Sequence, residues 1–340
     1  MQHLKTPETI EGAADPLLSV RDLRVYFRSG ATPARAVDGV SFDVGHRETV
    51  CIVGESGCGK TVTALGILGL VAPPGFVAGG TVVFKGRNLL DLDQERMRHI
   101  RGSQISMVFQ EPLTSLNPVF TVGDQIRETI LAHEKASRAE VARRSLDLLG
   151  SVGIQNPAGR LGDYAHQLSG GQRQRVMIAM ALACNPDLVI ADEPTTALDV
   201  TVQAQILRLF NRIQAERAMS ILYITHDLGV VSQVADRVYV MYAGIVAETG
   251  RTDPIFRAPG HPYTRALLES LPSRAKRGEP LRSIPGTVPD PAYKPAGCPF
   301  HPRCPEAVPE CRRAQPDMCA YGGDHLARCP VVFARNGGRI

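Results

Sequence analysis

The chain has 340 residues, with 38 basic and 34 acidic side chains, a formal net charge of +4, 44% hydrophobic residues and no tryptophan. That length supports a sizeable core and allows two domains, or one domain with a substantial appendage. Charge this balanced, without a basic stripe or an acidic tail, argues against a nucleic-acid surface, so nucleic acid is not an expected partner.

Residues 1–16 read as a leader. The opening MQHLKTPETIEGAADPLL carries acids and a proline where a signal peptide needs a basic start and an apolar run, so the expected compartment is the cytosol. Strands are expected near LLSVRDLRVYF and GVSFDV. The runs ETVCIVG (48–54), DLVIADE (187–193) and SILYITHD (220–227) are apolar with little alternation, and each precedes a helical pattern. Strands buried on both faces of a parallel sheet read this way. The uncharged segment Val62 to Phe84 is nominally long enough to span a bilayer, but Pro73, Pro74 and Gly75 divide it into a short helix, a turn and a strand. From about 112 to 180 the strand signal fades, and RAEVARRSLDLLGSVG and QRQRVMIAMALAC predict a helical insert. After about residue 252 prolines become frequent, which predicts a tail of loops and short helices held by something other than a large core.

Chemistry concentrates in a few places. GESGCGKT, spanning Gly54, Glu55, Ser56, Gly57, Cys58, Gly59, Lys60 and Thr61, follows an apolar strand and precedes an apolar helix. In that context glycines let backbone N–H groups converge on phosphate oxygens, the helix N-terminus adds its dipole, Lys60 supplies charge and Thr61 ligates Mg²⁺. The strand LVIADE puts Asp192 at the carboxyl edge of the sheet as a second Mg²⁺ partner, and adjacent Glu193 can polarise an attacking water. His226 follows another buried strand and reaches the same edge; alone it would read as structural, but beside these groups it is expected to contact the terminal phosphate and orient the water. QLSGGQRQRV (167–176) opens a helix with Ser169, Gly170 and Gly171, which offer a hydroxyl and backbone donors to an anion but no lysine or metal ligand. A plain helix cap is the competing reading.

The order of GESGCGKT, Gln110 in VFQEP, LSGGQ, LVIADEP, ALD (197–199) and His226 closely resembles the nucleotide-binding subunits of ATP-binding-cassette (ABC) transporters, over essentially the whole chain. The resemblance implies an α/β, P-loop NTPase cassette over 17–255, with a RecA-like core, an antiparallel β subdomain and a helical subdomain near 112–180. It implies that Ser169, Gly170, Gly171, Gln172 and Asp199 serve the ATP of a second subunit, so that two ATP molecules lie between two cassettes. It further implies that Gln110 joins Thr61 and Asp192 around Mg²⁺ and reports the γ-phosphate to a membrane partner. Phe27, where the family often has tyrosine, would stack on adenine; packing into the core is its other reading. Cys58 replaces the small residue usual in the cradle, either as a passive filler, the favoured reading, or as a thiol activated by the helix N-terminus and Lys60.

Five of the eight cysteines lie at or beyond position 298. GHPYTRALLESLP (260–272) and GCPFHPRCPEAVPEC (297–311) resemble the carboxy-terminal extension (256–340) of the oligopeptide, dipeptide and nickel importer subfamily. The spacing of Cys298, Cys304, Cys311 and Cys329 is not that of a zinc ribbon, and with the resemblance it suggests a [4Fe-4S] cluster, with zinc or no metal as alternatives and Cys319 an undecided ligand. The subfamily implies an ATPase of a peptide importer, peripheral on the cytoplasmic face of the inner membrane. Its partners would be a second, related but non-identical ATPase, two permeases and an extracytoplasmic binding protein. Another cargo (nickel, glutathione, a glycoside, an antimicrobial peptide) or a soluble ABC ATPase outside transport are the competing functions.

Overall fold

The structure, a computed structural model, describes residues 15–335 and 337, apart from 31, 197 and 272–282. Most of the expected leader, Ala197 of the ALD motif, and Pro272 and Pro280 of the tail lie outside the described residues.

Twelve strands form two sheets among the described residues. β1 (Leu18–Phe27), β2 (Ala34–Val44), β4 (Gly75–Phe84) and β5 (Arg87–Asn88) make an antiparallel sheet in the order β2-β1-β4-β5. Leu18, Val20, Leu23 and Val25 of β1 are buried, as are Val37, Val40 and Phe42 of β2. Helix Lys60–Ile67 comes close to this sheet at Gly66, where a Cβ would meet Val25 Cγ2 at 2.9 Å. The possible membrane span is therefore this short helix, a turn and β4, and among the described residues no helix is long and apolar enough to cross a membrane.

The larger sheet contains β3 (Thr49–Val53), β6 (Ile105–Val108), β7 (Leu188–Asp192), β8 (Ser220–Thr225), β9 (Arg237–Tyr242), β10 (Ile245–Arg251), β11 (Cys319–Gly322) and β12 (His325–Ala327). Its order is β11-β12-β10-β9-β3-β8-β7-β6, parallel from β9 to β6. Every residue of β3, β7 and β8 is buried, which is why these strands lack alternation. Register aligns Val53 with Thr225 and Asp192 with Ile224, so the carboxyl ends of β3, β7 and β8 finish side by side. This α/β architecture is the one expected.

Between Pro112 and Ala181 the chain is helical, with helices at Val122–Leu131, Arg138–Ser151 and Gly170–Ala181 among others. Thr121, Ser137 and Ser169 cap these three helices, each side chain accepting the N–H three residues on.

The tail departs from expectation. β12 pairs with β10 (Glu248 opposite Ala327), so the last strands extend the cassette's own sheet. Tyr263, Leu268 and Phe300 belong to the same apolar core as residues of β3, β7 and β8, and Ala327 and Val332 are buried as well. The fully buried carboxylate of Glu248 accepts from the N–H groups of Gly260 and His261 and lies 2.6 Å from His325 Nε2. Burial holds the His261 imidazole at a pKa of about 4, so it is neutral and its Nδ1 accepts the Tyr263 N–H.

Candidate active site

The cradle is built where β3 ends. Backbone crowding, not flexibility, demands two of its glycines: a Cβ on Gly54 would sit 2.2 Å from Met241 O, and one on Gly59, at φ +104°, 2.4 Å from Ala36 O. Gly59 precedes helix Lys60–Ile67 and no side chain caps it, leaving the first-turn N–H groups free for an anion. Lys60 is buried, and its ammonium donates to the carbonyls of Gly54 (2.8 Å) and Glu55 (3.1 Å), which ties it across the loop. Ser56 and Gly57 complete the exposed turn, with Gly57 at φ +80° and open space around it.

Thr61 Oγ1 donates to Asp192 Oδ1 at 3.1 Å, joining residues 131 positions apart. Burial pushes the Asp192 carboxyl up to about pH 6, opposed by the Thr61 hydrogen bond. A hydroxyl and a carboxylate that the fold holds together in this way form a donor set suited to a hard divalent cation. Glu193 follows in the left-handed region, at φ +45°, a conformation that costs a non-glycine residue energy and that surrounding structure must enforce. The enforcing contacts are explicit. Its N–H donates to Ile224 O on β8, Gln110 Nε2 and Thr196 Oγ1 donate to its Oε2 (3.2 and 2.9 Å), and His226 Nδ1 lies 3.1 Å from its Oε1. Gln110, Glu193 and His226 therefore meet at one point beside Asp192, although they follow three different strands.

The remaining sequence candidates sit elsewhere. Ser169 and Gln172 form a reciprocal capping box, so the helix-cap reading describes their side chains within this chain. Ser169 and Gly170 are nonetheless exposed, and among the described residues no hydrogen bond joins them to the cradle. Asp199 caps helix Val200–Arg217 through the Val202 N–H, and Val202 packs where a Cβ on Gly171 would meet it at 2.8 Å, so the two motifs are neighbours. Phe27 is half-buried at the end of β1 against Gly75 and the β-sheet core. Cys58 is buried, and burial raises its thiol to about 11 despite nearby Lys60, which removes the activated-thiol reading.

Three residues escaped the sequence reading. Thr196 lies three positions beyond Glu193, near enough to have been proposed. Tyr263, whose hydroxyl accepts the Glu55 N–H at 2.9 Å, and Arg303, which forks onto Glu55, come from the tail and left no local signal.

Comparison with known proteins shows the family. Residues 37–196 match the model of the ABC transporter family, and 247–311 match that of the oligopeptide/dipeptide transporter C-terminal region. The chain is 51% identical over 316 residues to the Bacillus subtilis dipeptide transport ATP-binding protein DppD, covering 93% of this chain and 94% of that one. It belongs to the ABC transporter ATPases. Escherichia coli DppD is 48% identical over 313 residues, covering 92% of this chain and 96% of its own. Among solved structures, a dimeric ATP-binding cassette in a post-hydrolysis state with ADP and phosphate matches with TM-score 0.63 and 28% identity, over 69% of this chain and 98% of that one. The cassette cbiO1 of Clostridium perfringens matches with TM-score 0.62 and 26% identity, over 72% and 92%. This ABC ATPase hydrolyses ATP.

The iron–sulfur expectation is corrected. Cys298, Cys304, Cys311 and Cys329 do line one cavity, and Cys319, on β11, does not. That cavity measures only about 20 Å³, and among the described residues no group of three or more His, Cys, Asp or Glu side chains is placed to hold a metal ion. Burial pushes the thiols of Cys298 and Cys329 to about 11 and raises Cys304, which favours neutral thiols over the thiolates a cluster requires. The relatives are named as ATP-binding proteins alone.

Proposed function

We propose that this chain is the ATP-driven motor of a peptide importer, working as one of a pair of cassettes beneath two membrane permeases supplied by an external binding protein. The observation that carries the catalytic part is the convergence of Gln110, Thr196 and His226 on Glu193 beside the Thr61–Asp192 pair. In this reading Gly54–Thr61 cradle the triphosphate and Phe27 flanks the adenine. Thr61, Asp192 and Gln110 hold Mg²⁺, which when bound supplies positive charge against the transferring phosphoryl group. A water attacks the γ-phosphorus as Glu193 accepts its proton, ADP leaves with the β–γ bridging oxygen, and His226 contacts the γ-phosphate and orients the water.

Ser169, Gly170, Gly171, Gln172 and Asp199 complete the partner cassette's site, a role supported by the exposure of Ser169, Gly170 and Asp199. Attachment to permeases is supported by an apolar groove lined by Leu70, Met107, Phe109, Leu116, Met177 and Met180, of which Phe109 immediately precedes Gln110. Peptide cargo is supported by the relatives' dipeptide transport and by the matched C-terminal region. The reading divides the chain into a cassette (17–255) and an extension (256–340), at the cytoplasmic face of the inner membrane.

Purification from native membranes in mild detergent, with mass spectrometry of what accompanies the chain, tests the assembly. Two polytopic permeases and a second, related ATPase are expected. Recovery from the soluble fraction, alone or with ribosomal or repair proteins, overturns the transport reading and leaves the ATPase.

A further inference from the structure

The extension reaches the phosphate cradle through Arg303 and Tyr263. Arg303 donates from Nη1 and Nη2 to Glu55 Oε2 (2.7 Å) and Oε1 (2.9 Å), a two-pronged pairing across 248 positions. Its other N–H directions are also used, by Pro285 O (2.7 Å), Ile284 O (3.3 Å) and Tyr242 OH (3.3 Å), and its guanidinium lies over the rings of Tyr242 and Phe300. The arginine side chain is only 5% exposed, and its pairing with Glu55 pushes its already high pKa higher. Tyr263, also in the extension, holds the Glu55 N–H.

Glu55 needs this attention because of where it stands. It is the second residue of a loop whose expected ligand is a triphosphate, and an unmatched carboxylate there repels the incoming anion. A guanidinium fork both cancels the charge and fixes its direction, which a lysine cannot do with the same geometry.

We propose that Arg303 is a positioning residue of the nucleotide site: by neutralising and anchoring Glu55 it keeps the cradle receptive to phosphate, so the extension sets the chain's affinity for ATP. This rests on the reading that Gly54–Thr61 hold the triphosphate. Arg303 touches no reacting atom, so its effect belongs in KM and not in kcat.

The test is a charge-rescue cycle on the full chain, reading kcat and KM for MgATP together with circular dichroism. Arg303→Met, which keeps the stem over Tyr242 and Phe300, is expected to raise KM about tenfold with kcat within about twofold. Arg303→Met with Glu55→Gln should return KM to within about threefold of wild type, because the repelling charge has gone. A double variant no better than Arg303→Met makes the pair a mere staple for the tail and overturns the proposal. Should Arg303→Met fail to fold, Glu55→Gln alone decides: KM no more than about threefold above the wild-type value supports charge control, whereas a larger rise refutes it. A wild-type chain that does not bind ATP saturably brings down the cradle reading itself, an outcome distinct from variants that bind like wild type.

Discussion

His226 Nδ1 lies 3.1 Å from Glu193 Oε1, and the two residues follow adjacent parallel strands, β8 and β7. Glu193 is nearly buried while His226 is half-exposed, so the pair faces outward from the sheet edge with the carboxylate fixed and the imidazole free to meet a ligand. Glu193→Gln should lower kcat by a hundredfold or more, about the size of a lost general base, while ATP binding persists. His226→Ala should cost about tenfold to a hundredfold in kcat with little change in KM. Steady-state kinetics with nucleotide-binding titrations check both. Hydrolysis by Glu193→Gln at the wild-type rate rules out the base assignment.

Asp192 couples stability to the site in the opposite sense from a surface carboxylate. Its folded pKa, about 6, stands above the ordinary value of 3.8, so the nucleotide-free chain is relieved of a buried charge below pH 3.8 and bears it above pH 6. Asp192→Asn should therefore raise the unfolding free energy by about 1–3 kcal/mol at pH 8 and change it little at pH 4. The same variant should lose most Mg²⁺-dependent hydrolysis. Denaturant melts at the two pH values, with an ATPase assay, check this; an unchanged difference between pH 8 and pH 4 contradicts the assigned ionisation.

The three cradle glycines are not equivalent. Gly57→Ala meets open space and suffers only the left-handed backbone, a loss of about 1–2 kcal/mol. Gly54→Ala and Gly59→Ala drive a methyl into the carbonyls of Met241 and Ala36 and should each cost more than about 3 kcal/mol. Thermal melts rank them, and losses at Gly54 and Gly59 no larger than at Gly57 would contradict the crowding assigned to those two positions.

Cys58, with its thiol at about 11, should resist alkylation at neutral pH in the folded chain and react only after denaturation. Cys58→Ala should hydrolyse ATP within about threefold of wild type, as expected of a filler that makes no transition-state contact. Peptide mapping after iodoacetamide treatment checks the first claim, and rapid native labelling of Cys58 counts against it.

Much of the molecule was legible in the residues themselves. β3, β7 and β8 announced themselves because strands buried on both faces must be continuously apolar, and each carries its functional residues at or directly beyond its carboxyl end. The cradle was legible because a short stretch of backbone makes it. Even its exception, Cys58, could be read locally, although only burial decided between a reactive and an inert thiol.

What the tertiary structure alone decided depends on groups distant in sequence. The φ of +45° at Glu193 and the meeting of Gln110, Thr196 and His226 around it arise from register between strands. The raised pKa of Asp192 comes from burial that no motif encodes. The tail read as a separate, loosely held appendage because prolines and short segments carry no long-range signal, yet β12 finds the open edge of β10 and Arg303 finds Glu55. The spacing of Cys298, Cys304, Cys311 and Cys329 suggested ligands, but burial raises the thiols of Cys298, Cys304 and Cys329, which only the packing around them could decide. Local patterns determine which segments become strands, helices and phosphate loops, because those depend on near neighbours. Protonation, strain and the joining of the tail to the cradle depend on solvent exclusion and on partners supplied by remote parts of the chain.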